Sequence, residues 1–190
     1  MSRIRTMSDG AKAAILCLLT IAGAGASRAD QSRPYGLGAP ASPQEIAGWD
    51  IDVRADGAGL PPGSGSVQDG AKIFASVCAA CHGAKGEGGP MDRLVGGAGT
   101  LASAKPIKTV GSYWPYATTL FDYVRRAMPF NAPQSLTPDQ VYAVAAYILY
   151  LNKIVPEDAT LDAATLPKIR MPNRDGFTSP DPRPDVHEQP

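Results

Sequence analysis

The stretch Cys78-Ala79-Ala80-Cys81-His82 constrains this chain more than any other. Two cysteines separated by two residues and followed at once by a histidine form the signal for covalent attachment of a c-type haem. The spacing lets two thiols reach the two vinyl groups along one porphyrin edge, each as a thioether, and makes His82 the expected proximal iron ligand. Two other chemistries share part of the pattern. A redox dithiol calls for a βαβ setting that this sequence does not show. A zinc site needs further soft ligands. The remaining cysteine and histidine are Cys17, in an apolar N-terminal run, and His187, in a proline-rich end.

A chain of 190 residues has room for one domain with tails. Of its 18 prolines, five fall in residues 30–65 and seven in residues 156–190. The expected folded unit is therefore 66–155, flanked by extended arms over 30–65 and 156–190, the second ending in disorder. Residues 1–29 read as a secretory signal. Arg3, Arg5 and Lys12 precede an apolar run, Ala13–Ala26, too short to be read as a membrane span. Small residues place the expected cleavage near Ala29, with Ala26 the neighbouring alternative. The expected location is periplasmic, with no stable membrane span after cleavage. Residues 1–29 carry four basic residues and one acidic, so 14 basic and 17 acidic remain beyond them, a net charge of about −3. No basic block with interleaved aromatics points to nucleic acid.

Within the expected unit, residues 67–80 read as a first helix with Gly70 and Phe74 on one face. A glycine-rich loop comes after His82, and Pro90 is a candidate for accepting its second ring N–H through the carbonyl. Tyr113, Trp114 and Tyr116 form an aromatic cluster. Trp114 and Tyr113 are candidates for walling a haem or donating to a propionate, because such rings need a polar partner when buried; core packing is the plainer alternative. Residues 117–127 read as a second helix, stopped by Pro129. Met128, held rigid just before that proline, is the candidate sixth ligand to iron: no second histidine is at hand, and His/Met is a known haem pair. Residues 137–152 read as the last helix, with Thr137 as N-cap, Pro138 at N1 and Gln140 at N3. Its small residues are expected to meet the Gly70/Phe74 face.

The arms carry readings of their own. Ser42 to Glu45 has a capping-box pattern for a turn or two of helix. Trp49, Ile51 and Val53 alternate with acids, the period of an extended segment with one apolar face. This arm is expected to dock, on its own domain or on a partner. A short helix is expected around Asp162–Leu166, and Lys168, Arg170 and Arg174 could meet an acidic partner.

Residues 66–152 resemble a class I c-type cytochrome domain: an all-α fold of three to four helices around one covalent haem. The arms are more diagnostic. Gly36–Gly38, Gly48–Val53, Gly59–Pro61, Gly111–Ala117, Met128–Phe130, Ser135–Thr137, Leu161–Leu166 and Met171–Phe177 resemble the cytochrome subunit of bacterial sulfite (sulfur) dehydrogenase. That resemblance implies a periplasmic monohaem electron acceptor for a molybdopterin sulfite-oxidising subunit, passing single electrons to a soluble cytochrome c or oxidase. The chain itself would be an electron-transfer subunit without catalytic residues. Two alternatives stand beside it: a free-standing shuttle, and a haem enzyme or sensor with an open iron site.

Overall fold

A computed structural model describes residues 37–178. The expected signal peptide, its cleavage near Ala29 and the expected disorder past residue 178 lie outside the described residues. The chain divides into two units, Met1–Ser42 and Pro43–Pro190. Of the first, residues 37–42 are described and have irregular backbone. The elements of the second, in order, are α1 (Pro43–Trp49), β1 (Ser64–Ser66), α2 (Val67–Ile73), a π-helical turn (Phe74–Cys78), α3 (Ala79–His82), α4 (Ala117–Ala127), α5 (Pro138–Leu151), β2 (Thr160–Asp162) and a 3-10 turn (Leu166–Lys168).

Helix α5 is the hub. Thr137 accepts the Gln140 amide at 3.3 Å, and the Gln140 side chain accepts the Thr137 amide at 2.9 Å, with Pro138 at the first turn. This reciprocal cap starts the helix where the sequence places it. Residues 141–146 are all buried, so α5 is surrounded by protein on every side. A side chain at Gly70 would collide with the Ala143 carbonyl and lie 2.8 Å from Tyr147 Cβ, so α2 and α5 touch backbone to backbone there. Phe74 and Tyr147 stack beside the crossing at 5.3 Å between ring centroids. The expected pairing of the two helices is present. Phe121 of α4 and Tyr142 of α5 close the other side at 4.4 Å.

The first helical run does not stop at residue 80 but continues to His82, through a π turn. The Ala79 amide reaches back to the Phe74 carbonyl, five residues away. One extra residue in a turn rotates the residues downstream of it by about 100° relative to an unbroken α-helix. The turn thus re-aims Cys78–His82 without breaking the helix.

Both arms enter the core. In the N-terminal one, the Val53 amide donates to Asp122 Oδ1 at 2.8 Å, the Tyr142 hydroxyl to the Pro61 carbonyl at 2.9 Å, and Arg125 to the Ile51 carbonyl at 3.1 Å. Val53 is buried as the alternating pattern expects, but Trp49 is not on that face: it ends α1 and is 87% exposed. The helix carries it out of the extended run. In the C-terminal arm Leu161, Leu166 and Met171 are buried in the same cluster as Phe74 and Leu149. The fold is not wholly α-helical, since β1 and β2 pair antiparallel with Gly65 opposite Leu161. Gly65 is forced, because a side chain there would overlap the Ala143 backbone. Nor is there a helix at Asp162–Leu166. The Asp162 carboxylate accepts the Ala164 and Thr165 amides and the Thr165 hydroxyl, which fixes a turn instead. Among the described residues, no helix is long and apolar enough to cross a membrane.

Candidate haem centre

The π turn and α3 end at the motif. Cys78 is half-buried, Cys81 is exposed, and both are free thiols. Burial, and then the neighbouring Cys81, push the Cys78 thiol up to about 11, so it stays protonated at neutral pH. After His82 the chain folds back on the helix end. Gly83, at φ +84, donates to the Ala79 carbonyl at 2.9 Å; Gly88 donates to the His82 carbonyl at 2.8 Å, and Met91 to the Cys81 carbonyl at 3.0 Å. The last bond turns the chain so that the Asp92 carbonyl meets His82 Nδ1 at 2.7 Å. Pro90, the expected acceptor, does not do this; its place is inside the turn. A carbonyl only accepts, so Nδ1 carries the proton and Nε2 keeps its lone pair.

Met128 caps α4 in extended backbone, φ −122 and ψ 148, its amide bonded to the Val124 carbonyl at 3.1 Å. The Met128–Pro129 peptide is cis. The side chain is half-buried against the core. The other two described methionines are placed differently: Met171 is 1% exposed inside the core, and Met91 is 53% exposed on the loop. Trp114 is half-buried and meets Tyr123 edge-on at 5.8 Å. Tyr113 meets Phe177 edge-on at 5.1 Å, with Lys108 Nζ 4.9 Å from its ring centroid. Core packing thus accounts for part of the Trp114 ring, whereas Tyr113 meets surface side chains, and among the described residues neither polar tip has a protein partner.

Two supporting groups escape a reading of the sequence. Asn152, at the end of α5, donates to the Leu94 carbonyl at 3.1 Å and accepts the Gly96 amide at 3.2 Å, so it ties the loop after the motif to the central helix. Thr109 and Ser112, both buried, bond to each other and to the carbonyls of Gly96 and Ile107. A terminal Asn after a strong helix is the one signal that could have found the first. The hydroxyls carry no pattern.

The donor set fits a covalent haem. It offers two free thiols at the attachment spacing, an imidazole with one nitrogen tied and the other bearing a lone pair, and a thioether on a rigid residue. Leu94, Trp114 and Leu136, half-buried at the core edge, are the kind of side chains an apolar ring covers.

The Cytochrome c family model matches residues 67–152. No curated protein matches the chain. Among solved structures, the sulfane dehydrogenase SoxCD from Paracoccus pantotrophus contains a chain 47% identical to this one, with a TM-score of 0.73, over 78% of this chain and 73% of that one. Residues 67–152 are less than half of the sequence, so the likeness extends into the flanking arms. Covalently bound haem c and a role in electron transfer are the consequence. The chain belongs to the class I c-type cytochromes and is similar to the cytochrome subunit of a sulfur dehydrogenase.

Proposed function

We propose that this chain is the periplasmic, electron-accepting subunit of a molybdenum sulfite (sulfur) dehydrogenase. The observation that carries the reading is the likeness to the SoxCD chain beyond the haem domain, in arms that a generic cytochrome lacks. Cys78 and Cys81 would hold the porphyrin as thioethers, and His82 Nε2 and Met128 Sδ would ligate its iron. Bound there, the haem supplies a one-electron couple. The Asp92 carbonyl fixes the orientation and tautomer of the His82 ring. The Met128 thioether, a soft and weak donor, favours the reduced iron and a higher potential. Trp114 and Tyr113 serve as haem wall or propionate donors. Electrons leave one at a time to a soluble cytochrome c or an oxidase.

The test is co-expression with a molybdenum sulfite-oxidising subunit. Copurification, and haem reduction on adding sulfite to the pair but not to the cytochrome alone, are the expected results. No complex and no reduction by the pair would return the chain to the class of free shuttles.

A further inference from the structure

The C-terminal arm does more than fill the core. Arg170 forms a bridge with Tyr116, Asn173 donates to the Tyr113 carbonyl at 2.7 Å, and Phe177 packs on the Tyr113 ring. Residues 170–177 of this arm and the 108–116 loop therefore make one face. Its floor is aromatic: Tyr113, Tyr116 and Phe177. Its charge is basic. The Arg174 guanidinium lies 4.1 Å from the Tyr116 ring centroid, and Lys108 Nζ lies 4.9 Å from that of Tyr113. Arg170 is three-quarters exposed and pairs with Asp175 at 2.5 Å. Among the described residues Lys108 and Arg174 have no carboxylate partner. Lys168 is not counted, because it faces Asp162; Thr165 and the Ala164 amide hold that carboxyl low first, and Lys168 adds to it.

Cations resting on ring faces are partly desolvated and fixed in place, so they present directed charge to a partner. Phe177, half exposed beside them, adds an apolar contact of the kind that anchors interfaces. We propose that this face, Lys108, Arg170 and Arg174 over Tyr113, Tyr116 and Phe177, docks the carboxylate-rich surface of a redox partner protein. Recruitment to an anionic lipid surface takes clusters of about four to eight basic residues, more than the three cations present, one of them already paired. The face adjoins Trp114, so a partner seated there is close to the residue proposed to wall the haem. The inference goes beyond pairing with a molybdenum subunit, which can fail without it.

The test uses the haem-loaded full chain. Its probe is bacterial flavodoxin, an acidic protein, in its hydroquinone form, which gives one electron to each ferric haem and becomes the semiquinone. The wild-type second-order rate constant is expected to fall steeply with added salt. In Lys108→Glu/Arg170→Glu/Arg174→Glu it is expected to fall roughly tenfold at low ionic strength, with most of the salt dependence lost. Lys108→Gln/Arg174→Gln, which leaves the Arg170–Asp175 pair intact, is expected to lie between. Amide shifts on titrating flavodoxin should centre on residues 108–116 and 170–177. Unchanged rates and salt dependence in both variants, or shifts centred on another face, would overturn the proposal. So would binding to vesicles of mixed neutral and anionic phospholipid at physiological salt that these variants abolish.

Discussion

Met128 and Tyr142 are the residues on which single substitutions say most. If Met128 supplies the sixth ligand, Met128→Ala opens the iron. The ferric sulfur–iron charge-transfer band disappears, the ferrous protein binds carbon monoxide rapidly, and the potential drops by on the order of 0.1 V within the ~0.8 V that axial ligands command. Absorption spectra and a redox titration check this; an unchanged band would remove Met128 from the iron. Tyr142 makes a different point. Burial, and then the charge of Asp162, hold its hydroxyl up at about 12 against an ordinary value of 10. The folded state keeps this proton longer than the unfolded chain does. Its contribution to stability is whole below pH 10 and is lost as pH rises through about 12. Urea midpoints at pH 8 and pH 11 should show that decline. Tyr142→Phe should flatten it while costing about 1 kcal/mol at pH 8 for the lost bond to Pro61.

At the scale of elements, two glycines in helices predict opposite outcomes for one substitution. Gly70→Ala drives a methyl into the Ala143 backbone, which has nowhere to move. A loss of about 2–3 kcal/mol is expected from overpacking the α2–α5 crossing. Gly48→Ala in α1 meets nothing within 4 Å and should be neutral or slightly stabilising. Thermal melts of the two haem-loaded variants compare them directly. Thr137→Ala should cost about 1 kcal/mol by removing the cap of α5. These are also the parts the sequence announces. Capping residues, an apolar helix and a small-residue crossing are local signals, and α4, α5 and the Gly70 face could be read from them. The π turn could not, because only four helical residues, Ala79–His82, follow it, too few to reveal the shift it puts into the apolar spacing. The β1–β2 ladder could not either: each strand has three residues, and its partner is nearly a hundred residues away. At the site, the motif and Met128 stood out by residue type. The acceptor for His82 did not, because any residue has a carbonyl and only the course of the loop selects Asp92.

For the whole molecule, the contents of the core decide what can be cut away. Leu161, Leu166 and Met171 lie in one cluster with Val53 and the helices. A fragment spanning 66–155 leaves that apolar surface open. It is expected to bind a hydrophobic dye and to melt without a cooperative transition, whereas a chain ending after residue 178 should melt as one unit. Met171→Ala in the full chain, at about 2–5 kcal/mol, is the milder version of the same loss. The ladder that joins Ser64–Ser66 to Thr160–Asp162 has a consequence in time as well. A chain is made from its N-terminus. Cys78 and Cys81 therefore emerge long before the strand that closes the domain. Throughout that interval the motif belongs to an unfinished polypeptide, whose core is complete only when the last strand pairs.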